Sequence, residues 1–272
     1  MNDQSPTRGL HVVDSGGAGR PVVLIHGWPL SGESWQAQLD PIHAAGYRVI
    51  SYDRRGFGRS RPGDRYDYDT LADDLAGMLT DLDLQDVTLV GFSMGGGEVA
   101  RYVARHGEDR LHSLVFAAAV PPYLMRTSDN PDGPLTAEQA EEMRKGLEQD
   151  RSAFFDDFVR TFFSSGEEPL VDDDVLAASK RMCHESDPDA ALACMDSFST
   201  TDFRDDLTAI TRPTLVIHGD ADQIVPLEGA GQRTHDAVAG SRLHVIAGGP
   251  HGINASHVEE FNRALVDFLA VR

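Results

Sequence analysis

The chain has 272 residues, a length that allows one large domain with a full hydrophobic core. Of these residues 40% are hydrophobic and 25% charged, which is typical of a globular protein. Its 44 acidic and 24 basic residues give a formal net charge of -20, which repels nucleic-acid phosphates and anionic lipid surfaces and therefore excludes both as partners. The first residues lack the apolar core of a signal peptide and no long apolar run follows, so we expect a cytoplasmic protein.

The elements taken in chain order predict an α/β fold. Short apolar runs, typical of strands covered on both faces, alternate with amphipathic stretches, which predicts a mainly parallel sheet flanked by helices. The runs lie at residues 21–25, 47–51, 87–91, 111–117, 214–217 and 243–246. Residues 10–13 are expected to add an edge strand. Residues 70–83 and 256–271 have helical spacing, and the apolar stripe of the second helix is expected to pack on the core.

The strand pattern stops after Val120. Residues 121–206 begin with a Pro/Gly-rich stretch and continue as four helix-like segments, which predicts a helical cap inserted into a core domain formed by residues 1–120 and 207–272. Five phenylalanines stand close together within this insertion: Phe154, Phe155, Phe158, Phe162 and Phe163. Their spacing lets several share one helical face, which either packs the insertion onto the core or lines a substrate pocket.

The chain contains only two cysteines, Cys183 and Cys194. If one helix carried both, they would lie about 16 Å apart, which is beyond the reach of a disulfide. The sequence therefore predicts two reduced, buried thiols and no cysteine metal site.

A Gly-x-Ser-x-Gly motif at residues 91–95 connects a predicted strand to a helix-like stretch. A sharp turn at this point would lift Ser93 above the sheet, and small residues at positions 91 and 95 would avoid a collision with the neighbouring backbone. The helix N-terminus would also stabilise negative charge beside the serine. Ser93 is thus the candidate nucleophile, with a tight turn of no chemical role as the alternative.

A serine hydroxyl needs a general base, and its base in turn needs an orienting carboxylate. His251 fits best because its loop follows the last apolar strand, whereas His26 belongs to a motif at the end of an early strand. The strand before that loop is followed by Asp220 and Asp222. An acid placed in the loop that leaves the strand, in the chain order serine, acid, histidine, favours Asp222. Asp220 is the alternative acid, and its other possible task is to cap the turn through a side-chain hydrogen bond.

Acyl transfer also requires N–H donors for the oxyanion of the tetrahedral intermediate. The residue after the nucleophile, Met94, supplies one. The second is expected from Trp28 in the loop after an early strand, since Pro29 has no N–H to give.

The motifs together resemble those of a known family. They lie at residues 26–32, 34–35, 52–60, 91–95, 120–122 and 130–131. On these residues the chain resembles the cofactor-free bacterial haloperoxidases, also called perhydrolases or aryl esterases, of the α/β-hydrolase fold. The resemblance implies an esterase whose acyl-serine is attacked by water or by hydrogen peroxide, the second giving a peracid that oxidises halide away from the enzyme. It implies no haem, vanadate or other cofactor.

The resemblance also bears on substrates and assembly. In this family a proline after the oxyanion aromatic, here Pro29, is associated with the use of peroxide. Some relatives hydrolyse γ-lactams, so a small cyclic amide is the alternative substrate to an ester. Family members are often dimers or hexamers. The substrate pocket is expected to include Pro29, Val120, Phe158, Phe162 and Ile224. A hydrolase-like protein that binds a ligand without turnover is the alternative of another class.

Overall fold

An eight-stranded sheet lies at the centre of the computed structural model, which describes residues 2–270, with side chains from residue 8 onward. Its strands are β1 (Asn2–Thr7), β2 (Leu10–Asp14), β3 (Pro21–Ile25), β4 (Arg48–Tyr52), β5 (Val87–Phe92), β6 (Leu111–Ala117), β7 (Thr214–Gly219) and β8 (Arg242–Ile246). The strands are ordered β1-β2-β4-β3-β5-β6-β7-β8. β1, β2 and β4 are joined by antiparallel pairing, and every other pair is parallel.

The predicted α/β fold is confirmed, and the six apolar runs match strands to within two residues at each end. The central strand β5 is buried at all of its six positions, as a parallel strand covered on both faces must be. The edge position predicted for residues 10–13 is wrong, because β2 pairs with β4 on one side and with β1 on the other. β1 carries polar residues and Pro6, so its sequence lacks an apolar alternation.

Helices cover the sheet. They are α1 (Gln36–Ala44), α2 (Tyr68–Asp81), α3 (Met94–His106), α4 (Ala137–Gln149), α5 (Arg151–Phe163), α6 (Asp173–Glu185), α7 (Pro188–Thr200), α8 (Arg204–Thr208), α9 (Gly231–Ala237), α10 (Ile253–Ser256) and α11 (Val258–Leu269). The last predicted helix is divided between α10 and α11, and its final residue, Val271, lies outside the described residues. Phe261, Leu265 and Leu269 of α11 are buried in the core. No helix in residues 2–270 is long and apolar enough to cross a membrane.

Between β6 and β7 the chain forms five helices, α4 to α8, where the sequence indicated four helical segments. Acidic side chains begin several of them: Asp150, Asp172 and Asp187 each accept a backbone N–H at the N-terminus of α5, α6 and α7. Such caps satisfy donors that have no partner inside the helix. Part of the acidic excess of the chain therefore serves helix formation.

Both cysteines are free and buried, as predicted, with Cys183 on α6 and Cys194 on α7. Burial raises the pKa of each thiol to about 12. The thiols are consequently protonated and poor nucleophiles at neutral pH.

Candidate active site

Three loops that leave parallel strands converge at the carboxyl edge of the sheet. Ser93 follows β5, Asp222 follows β7 and His251 follows β8. The carboxyl ends of parallel strands lie at one edge, which is where open α/β sheets place their sites. Ser93 and His251, which are 158 positions apart in the sequence, thus meet in space, and Asp222 joins them.

The turn that carries Ser93 has the geometry that its glycines suggest. Ser93 has φ 52° and ψ -118°, a left-handed conformation that is costly for a residue with a side chain. A Cβ on Gly91 would lie 2.5 Å from the carbonyl oxygen of Gly95, and a Cβ on Gly95 would lie 2.5 Å from that of Ile25. Only glycine fits at both positions, so the tight strand-to-helix turn holds the serine above the sheet.

The three side chains form one continuous hydrogen-bonded chain. Ser93 Oγ lies 2.9 Å from His251 Nε2, and His251 Nδ1 lies 2.7 Å from Asp222 Oδ2. Because a carboxylate only accepts, Nδ1 carries a proton in this pair and the neutral imidazole presents Nε2 as an acceptor to the serine hydroxyl. The geometry is that of a nucleophile, its general base and the group that orients the base.

Asp222 is held as a carboxylate by its surroundings. Its Oδ1 accepts the backbone N–H groups of Ile224 at 2.9 Å and Val225 at 2.8 Å. Burial alone would raise its pKa, but the charge and hydrogen bond of His251 and the contact with His218 outweigh burial, so the pKa of Asp222 lies below its ordinary value. Asp220 is exposed and accepts the N–H of Gly248 at 2.6 Å, which is a structural task.

His26, the competing histidine, has both ring nitrogens engaged. Its Nδ1 donates to the carbonyl of Gly27 at 2.8 Å, and its Nε2 accepts the backbone N–H of Arg54 at 2.9 Å. Burial and the positive charge of Arg54 hold the pKa of His26 well below its ordinary value. His26 is therefore neutral, and both of its ring nitrogens are used in hydrogen bonds that shape the loop after β3.

The expected oxyanion donors flank the serine. Met94 is the first residue of α3, so its N–H has no acceptor within the helix. Gly27 packs against the nucleophile turn, since a Cβ there would lie 3.1 Å from Ser93 Cβ, and this brings the neighbouring backbone of Trp28 to the same place. Among the hydrogen bonds of residues 2–270, none uses the N–H of Trp28. Both N–H groups are therefore candidates to bind an oxyanion.

A buried ion pair fixes the loop that carries Trp28. Arg54 pairs with Glu98 on α3, each side chain being 1% exposed, and Arg54 also donates to the carbonyl of His26 at 2.6 Å. Tyr52 donates to the second oxygen of Glu98 at 2.7 Å. Because loss of one partner of a buried pair costs about 3–5 kcal/mol, this contact resists any movement of the loop relative to α3.

A cavity of about 530 Å³ opens above Ser93. Of the predicted pocket residues, Val120, Phe158 and Ile224 line it. Further apolar side chains in its wall are Trp28, Leu124, Leu135, Met143, Phe154, Phe198 and Val225. The volume and the apolar wall suit a small organic substrate whose reacting carbonyl reaches Ser93.

The structure does not bring Pro29 and Phe162 to the wall of that cavity. Pro29 is buried beside Trp28. Phe162 packs its ring against the imidazole of His251, with the ring centroids 4.9 Å apart and nearly perpendicular. Phe162 thus packs against the imidazole of His251 and lies outside the wall of the cavity above Ser93.

A family model described as the alpha/beta hydrolase fold matches residues 20–258 of the chain. The chain belongs to the α/β-hydrolase fold family. A non-heme chloroperoxidase from Kitasatospora aureofaciens is 46% identical to this hydrolase over 257 residues, 93% of each chain. A bifunctional esterase/perhydrolase from Acinetobacter calcoaceticus is 37% identical over 94% of each chain. The crystal structure of a bromoperoxidase from Bacillus anthracis matches with a TM-score of 0.94 at 50% identity, covering 96% of this chain and 95% of that one.

The predicted family, a hydrolase similar to the cofactor-free haloperoxidases, is confirmed by these relatives. Among residues 2–270 of this hydrolase, the structure contains no group of three or more His, Cys, Asp or Glu side chains arranged to hold a metal ion.

One residue of the site was not foreseen from the sequence. His218, the fifth residue of β7, places its Nε2 3.3 Å from Asp222 Oδ2. The sequence shows that His218 lies four residues before Asp222, at the end of the same strand. That position alone does not indicate a role, because the sequence does not show which groups the histidine contacts.

Proposed function

We propose that this hydrolase cleaves small carboxylic esters through an acyl-serine on Ser93, and that hydrogen peroxide competes with water for the acyl group. The hydrogen-bonded chain from Ser93 Oγ to His251 and Asp222 carries the proposal, because this arrangement activates a serine hydroxyl. The relatives named esterase/perhydrolase and chloroperoxidase support the choice of substrates.

In the first half-reaction, Ser93 Oγ attacks the carbonyl carbon of the ester and its proton passes to His251 Nε2. The carbonyl oxygen becomes an oxyanion, which the N–H groups of Trp28 and Met94 bind. The intermediate then collapses, the bond to the alcohol oxygen breaks, and His251 returns the proton to the leaving alcohol. Asp222 holds the imidazole in the required tautomer throughout.

In the second half-reaction, His251 takes a proton from water or from hydrogen peroxide, whose oxygen attacks the acyl carbon. The bond to Ser93 Oγ breaks and the serine regains its proton. Water yields the carboxylic acid, and hydrogen peroxide yields the peracid. The peracid transfers one oxygen atom to a halide ion in solution, giving hypohalous acid and the carboxylate, so no halide site is needed on the protein.

The helices between β6 and β7 act in this proposal as the cap that selects the substrate, with residues 121–206 as the inserted unit. Phe154 and Phe158 of α5 and Phe198 of α7 supply cavity wall, while the sheet side supplies Ser93. The homo-oligomer that the family resemblance implies and the cytoplasmic location expected from the sequence stay predictions; sedimentation of the purified protein would test the first.

The test compares the wild-type protein with Ser93→Ala on a short aryl acetate, with and without hydrogen peroxide, while bromination of a dye is followed. We expect a burst of the aryl alcohol from the wild type, bromination that rises with peroxide and carboxylic acid, and a loss of at least about 1000-fold in the variant. Ser152→Ala is the matched control, because Ser152 is an exposed serine of α5 outside the cavity wall.

Full activity in the Ser93→Ala variant would refute the nucleophile. Fast hydrolysis without bromination would leave an esterase and remove the peroxide step.

A further inference from the structure

Asp222 is contacted by two histidines, and the function described above uses only one of them. His251 Nδ1 lies 2.7 Å from Asp222 Oδ2, and His218 Nε2 lies 3.3 Å from the same oxygen. His218 is completely buried. His218 therefore contacts Asp222 but does not line the cavity above Ser93.

The hydrogen bonds of His218 decide where its proton lies. Its Nε2 is 2.8 Å from the carbonyl oxygen of Val225, which only accepts, so Nε2 carries the proton. Its Nδ1 is buried and has no hydrogen-bond partner among the described residues. A second proton on Nδ1 would be both buried and unpaired, and the ring is therefore neutral.

The two sides of the His218 ring face different elements. A Cβ on Gly231 would lie 2.4 Å from His218 Nδ1, so α9 packs directly against that side of the ring. The opposite side, Nε2, faces the loop in which the backbone N–H of Val225 donates to Asp222 Oδ1 at 2.8 Å. The N–H of His218 is thus directed at the carbonyl of Val225, and Nε2 lies 3.3 Å from the carboxylate.

We propose that His218 is a positioning residue of this hydrolase: its Nε2–H fixes the loop after β7 and shares the negative charge of Asp222 with His251. The proposal rests on the acyl-transfer function proposed above. It gives the neutral His218 a task that packing alone does not require, namely to set how strongly Asp222 binds the proton of the catalytic imidazole.

The proposal has a consequence for the pH profile. The ionisable side chains that act on Asp222 are His251 and His218. Without the N–H of His218, the charge of Asp222 is directed at His251 alone, which then holds its second proton more tightly. Because acylation needs neutral His251, the acid limb of kcat/KM moves to higher pH.

The experiment uses two amide substitutions, His218→Gln and His218→Asn. Glutamine carries its N–H₂ group as far from the backbone as histidine carries Nε2, whereas asparagine reaches only to the distance of Nδ1. The number of active sites is counted from the burst of aryl alcohol, and kcat and the pH profile of kcat/KM are expressed per active site. We expect His218→Asn to lower kcat about tenfold or more and to raise the acid limb by about half a pH unit or more. His218→Gln is expected to stay within about threefold of the wild type.

His235→Asn is the control, because His235 lies on α9 and pairs with Ser241, away from Asp222. A His218→Asn protein with fewer active sites, each with wild-type kcat and an unmoved acid limb, would overturn the proposal, since His218 would then serve stability alone. If His218→Asn does not fold, Gly231→Ala decides, because it displaces the ring while keeping it: a raised acid limb supports the proposal and an unmoved one overturns it. A wild-type protein without any burst would instead refute the acyl-serine function itself.

Discussion

Asp222 is a buried carboxylate that is surrounded by several hydrogen-bond donors. Its carboxylate is buried and accepts two backbone N–H groups, the imidazole of His251 and the contact from His218. A buried carboxylate is unfavourable unless donors surround it, and here the donors are numerous enough to hold its pKa below the ordinary value in spite of burial. The group proposed to orient the catalytic base is therefore also expected to contribute to folding stability.

The lowered pKa of Asp222 predicts how stability depends on pH. A carboxyl group whose pKa is lower in the folded state stabilises the protein above its unfolded pKa, about 3.9, and loses that contribution as the pH falls toward the folded value. Asp222→Asn removes this contribution, so the difference in the free energy of unfolding between wild type and variant is expected to shrink between about pH 5 and pH 3. Urea unfolding at a series of pH values measures it.

Asp220→Asn is the matched control for that series, because Asp220 is exposed two residues away and its carboxylate accepts the N–H of Gly248. Curves for the wild type and Asp222→Asn that stay parallel from pH 5 to pH 3 would show that the carboxylate contributes nothing to folding.

Helix α5 joins the cap to the active site through one tryptophan. The ring of Trp28 makes edge contacts with Phe154, Phe155 and Phe158 of α5, and its indole N–H donates to Ala191 of α7 at 2.9 Å. Aromatic edge contacts of this kind add to the stabilisation that burial provides. The residue proposed to donate to the oxyanion thus also anchors two helices of the cap.

Some phenylalanines of α5 line the cavity and others are buried in the core, so substitutions at Phe158 and Phe155 are expected to change different properties, substrate preference and stability. Phe158 is half-buried at the cavity wall, whereas Phe155 is fully buried behind Trp28 and does not line the cavity. Phe158→Ala enlarges the site, so the ratio of kcat/KM for an aryl octanoate to that for the acetate is expected to rise about tenfold. Phe155→Ala is expected to lower the free energy of unfolding by about 3–5 kcal/mol and leave the ratio unchanged. A change of the ratio in Phe155→Ala alone would contradict this division.

Sequence reasoning succeeded for elements whose patterns are local. A continuous apolar run such as Pro21–Ile25 can be satisfied only by burial on both faces, and a glycine pair around Ser93 indicates a turn that no other residue permits. The triad followed from chain order and from the strand ends. These inferences needed no knowledge of which elements are neighbours.

The other features of the site depend on which side chains are neighbours in space, and the sequence alone does not show this. The spacing of five phenylalanines could not tell Phe158, at the cavity wall, from Phe162, against His251. The pairing of Arg54 with Glu98 joins residues 44 positions apart, and neither has a pattern that indicates the other. His218 was missed for the same reason. Side-chain directions and long-range contacts are properties of the packed elements, so they appear only once the elements are assembled.

The entrance of the cavity is acidic, like the molecule as a whole. Glu142 and Asp157, both exposed, line the cavity, and neither forms an ion pair with a described residue. Among residues 8–270, no lysine or arginine lines the cavity. The chain as a whole carries a formal net charge of -20, so the two carboxylates at the mouth have the same sign as the excess charge of the molecule. A substrate must cross this field before it reaches the apolar wall above Ser93, which favours neutral or cationic molecules over anions.

The acidic mouth predicts discrimination between esters of similar size. An aryl butyrate and the aryl monoester of succinic acid differ mainly by the terminal carboxylate, so the succinate is expected to have a kcat/KM at least about tenfold lower at low salt. Added salt is expected to raise the succinate value and leave the butyrate value unchanged, because exposed charges are screened beyond about 10 Å at 0.1 M salt. Glu142→Gln with Asp157→Asn should raise the succinate value about threefold or more at low salt, whereas Glu138→Gln, an exposed acid of α4 outside the cavity wall, should not. Equal salt dependence for the two esters would show that the field at the mouth does not select substrates, and selection would then rest on the apolar wall alone.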